Sequence, residues 1–189
     1  SLVFAGNDKP NVMLMSAAQA LANRFGVKAG NRAVVFTNNG SAYIAARDMA
    51  NAGIEIVALV DARTDIPADE RTIAKDAGIG VIAGHVVLAA DGSKHGVKRV
   101  HIGVTPGDPA LEHAAASRVI DCDLLAVSGG WTPSVHLFSQ SRGKLRFDAA
   151  KSCFVPNKSF QRERSAGACN GDFKLKDCLA DGISAGAEA

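Results

Sequence analysis

AVVFTNNGSAYIAARDMANAGIEIVALVD, residues 33–61, is the stretch that decides the fold. It begins with an apolar run over residues 33–36, which is typical of a strand buried on both faces. A polar turn over residues 37–41 follows, and alanines then recur at helical spacing until Gly53. Residues 54–60 form a second apolar run. The order strand, turn, helix, strand predicts a right-handed crossover between two parallel strands.

Further helices and strands are predicted on both sides of this unit. Upstream, apolar residues at helical spacing predict a helix over residues 11–25, with Asn11 as its cap. Downstream, Pro67 and the acidic residues after it predict the first turn of another helix, which Gly78 ends. A further buried strand is expected over residues 124–127.

The segment over residues 81–104 has a different character. Apolar runs flank Asp91-Gly92, a dipeptide that favours a hairpin turn, so a β-meander is expected beside the parallel sheet. Residues beyond Ser139 are polar and irregular until a last helical stretch near residues 175–187. These patterns together predict the α/β class, as a Rossmann-like three-layer domain with a parallel sheet and a β-meander.

Composition excludes several functional classes. The chain has 189 residues, 47% of them hydrophobic and 21% charged, which excludes a disordered or collagen-like protein. The net charge is +2 and no basic stripe stands out, so neither a nucleic acid nor a membrane surface is an expected partner. No apolar run approaches the roughly 18 residues that span a bilayer. The chain begins with Ser1 and not with methionine, so we expect a piece of a longer protein.

Cysteine and histidine spacing predicts no metal site. No two cysteines form a C-x-x-C pair, which disfavours a zinc ribbon or a redox dithiol, and a reducing cytoplasm is the expected compartment. The histidines show no H-E-x-x-H spacing. The residues concerned are Cys122, Cys153, Cys169, Cys178, His85, His95, His101, His113 and His136.

The turn after the first strand of the crossover is where dinucleotide-binding folds carry G-x-G-x-x-G/A. The glycines allow a pyrophosphate to approach the amides at the start of the following helix. The corresponding positions are Thr37, Asn39 and Ala42, of which only the alanine fits, so the motif by itself is a weak signal. Asparagine tolerates a left-handed backbone, and Asn39 is expected to keep the turn in that way.

Asp61 supports a dinucleotide better than the turn does. It lies 24 residues after Thr37, where an acid binds the hydroxyls of the adenine ribose and repels the 2′-phosphate of NADP. A solvated aspartate at a strand end is the alternative. Arg63 complicates the prediction, because an arginine there can bind a 2′-phosphate, but the pattern favours NAD over NADP.

Two other segments are candidates for ligand contact. Ser41 lies outside a G-x-S-x-G frame, which favours a phosphate-binding hydroxyl or a helix cap over a nucleophile. Ser128-Gly129-Gly130 either offers backbone at the carboxyl edge of the sheet or forms an ordinary turn. Trp131 is equally a packing anchor or a stacking surface. No catalytic acid, base or nucleophile is predicted.

Four long stretches resemble the alpha subunits of heterotetrameric sarcosine oxidases. They are VFAGNDKPNVMLMSAA, the segment over residues 33–63, CDLLAVSGGWTPSVHLFSQSRGKLRFD and RSAGACNGDFKLKDCLADG. The most diagnostic segments are TNNGSAY and LLAVSGGWTPSVHLFSQ. These subunits are similar to flavoproteins of the thioredoxin-reductase type, in which a smaller NAD-binding domain is inserted into an FAD-like domain.

The resemblance implies a bound NAD. The glycine turn of this family is itself altered, which agrees with Thr37 and Asn39 in this sequence. The residues implied to line NAD are Thr37, Asn38, Asn39, Ser41, Ala42, Asp61 and Arg63. With their neighbours, the expected cofactor site also includes Gly40, Ala62, Ser128, Gly129 and Gly130.

The resemblance also implies a larger enzyme. Sarcosine oxidases of this kind oxidise the N-methyl group of sarcosine with oxygen, giving glycine and hydrogen peroxide, and pass the one-carbon unit to tetrahydrofolate. The flavin site for sarcosine belongs largely to the beta subunit, and FAD and FMN are cofactors of the complex. The beta, gamma and delta subunits are the implied partners. This chain lacks the first G-x-G-x-x-G of the larger domain and the folate-binding region, so nucleotide binding without catalysis is expected.

Residues 1–23 and 140–189 resemble borders of the FAD-like domain, on either side of an NAD-binding domain over residues 24–139. Without the larger domain, Phe4 and residues 12–14 would be exposed, so we expect a mobile C-terminal region or a homodimer. Two alternatives remain: an interaction domain that kept the fold and lost the nucleotide, and a self-sufficient NAD-dependent dehydrogenase. The second lacks a proton-transfer residue near a nicotinamide site.

Overall fold

The computed structural model describes residues 2–104 and 118–188. The described residues up to Gly130 belong to a first unit, and those from Trp131 onward belong to a second unit. The first unit contains β1 (Val12–Leu14), α1 (Met15–Phe25), β2 (Arg32–Thr37), α2 (Ser41–Asn51), β3 (Glu55–Asp61), α3 (Ala68–Asp76), β4 (Val81–Ala83), β5 (His85–Ser93), β6 (Gly96–Val104), β7 (Arg118–Asp121) and β8 (Leu124–Ser128). The second unit contains α4 (His136–Gln140), β9 (Lys144–Asp148), β10 (Cys153–Lys158) and α5 (Leu175–Ala187).

Five parallel strands form the central sheet of the first unit, in the order β1-β8-β2-β3-β4. From β2 the chain proceeds through α2 to β3 and through α3 to β4, toward one edge of the sheet. β8 lies on the opposite side of β2. The strand order therefore reverses between β2 and β8, and open α/β sheets bind their ligands at such a point, outside the carboxyl ends of the strands.

The side chains of β2 alternate between two cores. Ala33 and Val35 pack in one apolar cluster with residues of α1 and α2, whereas Val34 and Phe36 pack in another with residues of β5 and β6. The strand is apolar at successive positions because both of its faces are buried. β5, β6 and β7 form an antiparallel meander. The layers are helices, parallel sheet and meander, which confirms the predicted fold class.

The predicted helix over residues 11–25 is wrong at its start. Val12–Leu14 form β1, which pairs in parallel with β8. Asn11 does not cap a helix, because its backbone is left-handed, with φ of 64°, and its side-chain amide donates to the carbonyl of Asp123 at 3.1 Å. A short apolar run such as Val12–Leu14 fits a helix and a buried strand equally well, and pairing with β8 decides between them.

The expected exposure of Phe4 is also wrong. Its side chain is buried in the first unit, in an edge-to-face contact with Phe36 at a centroid distance of 6.0 Å. Of residues 12–14, Leu14 is exposed as expected, whereas Val12 and Met13 are half-buried. Residues 1–23 thus supply β1 and most of α1 to the first unit, while their assignment to a larger domain stays a prediction.

The hairpin turn between β5 and β6 lies three residues beyond the predicted one. β5 continues to Ser93, and the turn is formed by Lys94 and His95. Asp91 and Gly92 lie inside the strand, next to an irregularity in its register. A side chain at Gly92 would overlap the opposing backbone of the hairpin, so glycine is needed there for close approach and not for a turn.

The second unit contains an element that the sequence analysis missed. β9 and β10 form an antiparallel hairpin within the segment predicted to be irregular. α5 has the expected bounds, but none of its residues is buried, and Leu175, Leu179 and Ile183 are exposed along one side of it. In the parts of the chain that the structure describes, no helix has the length and apolar character needed to cross a membrane.

Candidate functional site

The predicted site residues meet at one edge of the parallel sheet. Thr37 ends β2 and is the Cα partner of Ser128 on β8 and of Asp61 on β3. The amide of Ala62 donates to the carbonyl of Thr37 at 2.9 Å. The turn after β2, the tip of β3 and the end of β8 are therefore neighbours at the position where the strand order reverses.

Thr37 holds the turn through its hydroxyl group. The side chain is fully buried, and its Oγ1 accepts a hydrogen bond from the amide of Asn39 at 3.1 Å. The same oxygen lies 3.1 Å from the carbonyl oxygens of Asn39 and of Ser128, to either of which it can donate. A glycine at this position has no group that could form these bonds. Thr37 thus fixes the turn by hydrogen bonds at a position where dinucleotide-binding folds have a flexible glycine.

Asn39 also acts through its side chain. Its backbone does not have a positive φ, so the expectation of a left-handed Asn39 is wrong. The side-chain amide donates to the carbonyl of Ser128 at 2.9 Å and to its hydroxyl at 3.1 Å. The side-chain oxygen accepts from the amide and the hydroxyl of Ser41, at 3.2 and 2.6 Å. Asn39 therefore links the turn after β2 to the end of β8 and to the first turn of α2.

Ser41, Gly40 and Gly130 lie around the turn between β2 and α2. Ser41 is exposed at the first position of α2, and Gly40 is the N-cap, so the prediction of a Ser41 helix cap is wrong. Gly130 has φ of 89°, which glycine adopts without strain, and an added β-carbon would lie 3.8 Å from Oδ1 of Asn38. The Ser128–Gly130 segment therefore lies beside the turn after β2, as expected.

Asp61 lies at the predicted strand end but is fully buried. Its Oδ1 accepts from the backbone amide and Nε of Arg63, at 2.9 and 3.1 Å. Its Oδ2 accepts from the hydroxyl of Tyr43 at 2.8 Å and from the guanidinium of Arg63 at 2.7 Å. The alternative of a solvated aspartate is therefore wrong. The ribose contact stays a prediction, and it requires one of these donors to move.

Glu70 completes an ion cluster with Asp61 and Arg63. Its Oε2 lies 2.5 Å from the Arg63 guanidinium, whose side chain is 28% exposed. Its other oxygen reaches the start of α2, because a β-carbon added to Gly40 would overlap Oε1 of Glu70. Two carboxylates and one guanidinium leave a formal charge of −1 in this cluster.

The environment of the cluster fixes the protonation of Tyr43 and Arg63. Burial and the hydrogen bond to Asp61 raise the pKa of Tyr43, so the phenol stays a neutral donor. The hydrogen bond to Asp61 also raises the pKa of Arg63, against the opposite effect of burial, and the guanidinium keeps its charge. The cluster therefore combines a neutral phenol with a charged guanidinium.

Sequence reasoning missed Tyr43 and Glu70. Tyr43 is the only tyrosine of the chain and lies among the buried alanines of α2, where a phenol needs a hydrogen-bond partner. The position of Tyr43 in the sequence could therefore have indicated a buried hydrogen bond. The sequence contains no such signal for Glu70, because an acid in the first turn of α3 is already explained by the helix dipole.

Metal binding finds no support among the residues with a described position. No group of three or more His, Cys, Asp or Glu side chains in residues 2–104 and 118–188 could hold an ion. His113 lies outside the described residues. The side chain of Trp131 is 57% exposed, which does not fit a buried packing anchor.

Three curated proteins similar to this chain are all sarcosine oxidase alpha subunits. Sarcosine oxidase subunit alpha of Corynebacterium sp. (strain P-1) is 37% identical over 188 residues, which are 100% of this chain and 19% of the relative. The subunit of Corynebacterium sp. (strain U-96) is 36% identical over 97% of this chain and 18% of its own length. The resemblance to sarcosine oxidase alpha subunits is confirmed. The chain spans about a fifth of the length of these subunits, and no protein-family model matches it.

Solved structures agree on the fold. The thioredoxin reductase of Lactococcus lactis matches 100% of this chain and 60% of its own, with a TM-score of 0.71 at 13% identity. The thioredoxin reductase of T. acidophilum matches 99% of this chain and 60% of its own, with a TM-score of 0.68 at 15% identity. The segment related to sarcosine oxidase alpha subunits therefore has the fold of thioredoxin-reductase-like flavoproteins.

Proposed function

We propose that this chain is the NAD-binding part of a sarcosine oxidase alpha subunit. The observation that carries the proposal is the cluster of Thr37, Asn39 and Ser128 at the N-terminus of α2, where the strand order reverses. Open α/β sheets bind dinucleotides at this position, with the pyrophosphate against the start of the helix.

The diphosphate lies over the turn after β2 in this proposal. Asn38 and Ser41 are exposed there, and both are uncharged. The dipole of α2 favours an anion at its N-terminus. Asn39 orients the start of the helix by accepting from Ser41, so its side chain takes the supporting role that close glycine packing has in other proteins.

The adenine ribose lies against the tip of β3. Arg63 covers Asp61 and is the more exposed of the two residues. In this proposal the ribose hydroxyls reach Asp61 when the guanidinium turns outward. Glu70, which pairs with Arg63 in the structure, is a second acid beside that position. The formal charge of −1 disfavours the 2′-phosphate of NADP. This negative charge supports NAD over NADP as the ligand.

The parent enzyme in this proposal is an oxidoreductase that demethylates sarcosine. Its FAD and FMN and its beta, gamma and delta subunits act outside this chain, which binds a nucleotide without catalysing the reaction. The proposal also places the enzyme in the cytoplasm.

A second candidate function is an interaction domain without a nucleotide. The observation that favours it is the mutual hydrogen bonding of the site: both oxygens of Asp61 and both polar atoms of the Asn39 side chain have partners within the chain. A site of this kind is stable without a ligand.

Isothermal titration of the chain with NAD and with NADP distinguishes the two candidates. NAD is expected to bind at one site, more tightly than NADP. The variant Ser41→Asp places a carboxylate where the diphosphate would lie and is expected to abolish the binding of NAD. Its matched control is Ser93→Asp, in the hairpin of β5 and β6, which is expected to bind NAD normally. An unaltered chain that binds neither nucleotide would contradict NAD binding and favour the second candidate.

A further inference from the structure

Glu70 connects the two halves of the proposed nucleotide site. One carboxylate oxygen pairs with the guanidinium of Arg63 at the tip of β3, and the other lies against Gly40 at the start of α2. Its side chain is 15% exposed, so it lies near the surface of the site, above the fully buried Asp61. An adenosine moiety that extends from the turn to the tip of β3 therefore passes this carboxylate.

The ion pair with Glu70 determines how the charge of Arg63 acts on a ligand. Asp61 alone would neutralise Arg63 and leave a net charge of zero, and an arginine at this strand end can bind a 2′-phosphate. With Glu70 present, the same guanidinium nitrogen of Arg63 pairs with two carboxylates. The cluster then has an excess negative charge, and a donor of Arg63 that could bind the phosphate is already used.

We infer that Glu70 is the residue that determines the choice between NAD and NADP. This inference rests on the proposed function and extends it from Asp61 to a residue of α3. Asp61 is saturated by four hydrogen bonds and fully buried. Glu70 is the acid of the cluster that meets the surface, so a 2′-phosphate meets this carboxylate before it meets Asp61.

The test is the ratio of the dissociation constants for NADP and NAD in the variant Glu70→Gln. The amide keeps the shape of the side chain and removes its charge. We expect the ratio to fall by at least about tenfold, because a unit charge a few ångströms from the phosphate is removed in a partly buried site. The affinity for NAD is expected to change by less than about threefold, since its ribose carries no phosphate.

Two control variants separate charge from structure. Glu55→Gln causes the same change in net charge at the opposite end of β3, in the exposed ion pair with Arg32, and is expected to leave the ratio unchanged. Glu70→Asp keeps the charge and is expected to retain the preference for NAD. If Glu70→Gln does not fold, Glu70→Ala carries the same expectation, and thermal unfolding shows which variant is folded.

The outcomes separate the inference from the function on which it rests. If the chain binds NAD but Glu70→Gln changes the ratio no more than Glu55→Gln does, the inference is wrong and NAD binding stands. An unaltered chain that prefers NADP contradicts the inference in the same way, although a dinucleotide still binds. A chain that binds neither nucleotide overturns both.

Discussion

The turn after β2 and the tip of β3 lie side by side at one sheet edge, but different kinds of bond hold them. The turn is held by uncharged groups, through hydrogen bonds of Thr37, Asn39 and Ser128. The tip of β3 is held by the ion pair of the buried Asp61 with Arg63, and the neutral phenol of Tyr43 is a further donor to Asp61. The first arrangement leaves a neutral, partly exposed surface at the N-terminus of α2, whereas the second fixes the sign of the charge beside it.

This difference indicates how the two regions divide the binding of a nucleotide. An uncharged turn can receive a diphosphate without repelling it, and the helix dipole supplies the attraction. A charged cluster close to the ribose can distinguish ligands that differ by one phosphate group. The two regions should therefore respond to substitution differently, in stability and in ligand preference.

The largest effect is expected for Arg63→Met. The substitution leaves the carboxylate of Asp61 buried with Tyr43 and one backbone amide as its donors. Breaking a buried pair in this way costs about 3–5 kcal/mol, and we expect the lower end because Arg63 is 28% exposed. Urea unfolding measured by circular dichroism gives the change in the free energy of unfolding.

The matched control is Arg32→Met, which breaks the exposed pair with Glu55. That pair has side chains 51% and 62% exposed and is expected to contribute about 0–1 kcal/mol. Equal losses of stability in the two variants would contradict the buried ion cluster.

An intermediate effect is expected for Tyr43→Phe. The substitution removes one donor from the buried Asp61 and is expected to cost about 1–3 kcal/mol. The effect depends on pH, because burial and Asp61 raise the pKa of Tyr43 in the folded state. Tyrosine in the unfolded chain ionises near pH 10. The contribution of the raised pKa is therefore fully present below pH 10 and is lost as the pH rises above that value.

The single tyrosine makes this measurement direct. Unfolding at pH 10.5 should produce the absorbance of phenolate near 295 nm, which the native protein should lack. Between pH 8 and 10.5, the unaltered chain should lose more stability than Tyr43→Phe does. Phenolate in the native protein at pH 10.5 would show that Tyr43 is not a buried donor.

The sequence predicted the position of the site better than its bonds. Apolar runs and helical spacing placed Thr37 and Asp61 at neighbouring strand ends, because the crossover allows few arrangements. The backbone of Asn39 was assigned wrongly because its side chain, and not its φ, keeps the turn. Glu70 was missed because its partner Arg63 comes from a different element, and contacts of that kind depend on how helices pack on the sheet.

The same limit applies to the strands. No local pattern distinguishes Val12–Leu14 from a helix, and the strand that pairs with it, β8, lies far along the chain. The hairpin of β9 and β10 lies in a polar segment, where no local pattern distinguishes it from a loop. α2 and α3 were predicted nearly to their ends, because caps, breakers and spacing are local signals.

The smallest effect is expected for Asn39→Ala, in the uncharged region. The substitution removes the acceptor for the amide of Ser41 and the two hydrogen bonds to Ser128. We expect a loss of about 1 kcal/mol, as for the loss of a side-chain cap, since water can reach the partly exposed groups that are left. Asn38→Ala is the matched control. Asn38 is exposed and its side chain accepts a hydrogen bond from Asn39 at 3.2 Å, so this substitution should cost only a few tenths of a kcal/mol. In a titration, Asn39→Ala should weaken NAD and NADP by the same factor, whereas Glu70→Gln should change their ratio. A change of the ratio in Asn39→Ala would mean that the uncharged turn, and not the ion cluster, distinguishes the two nucleotides.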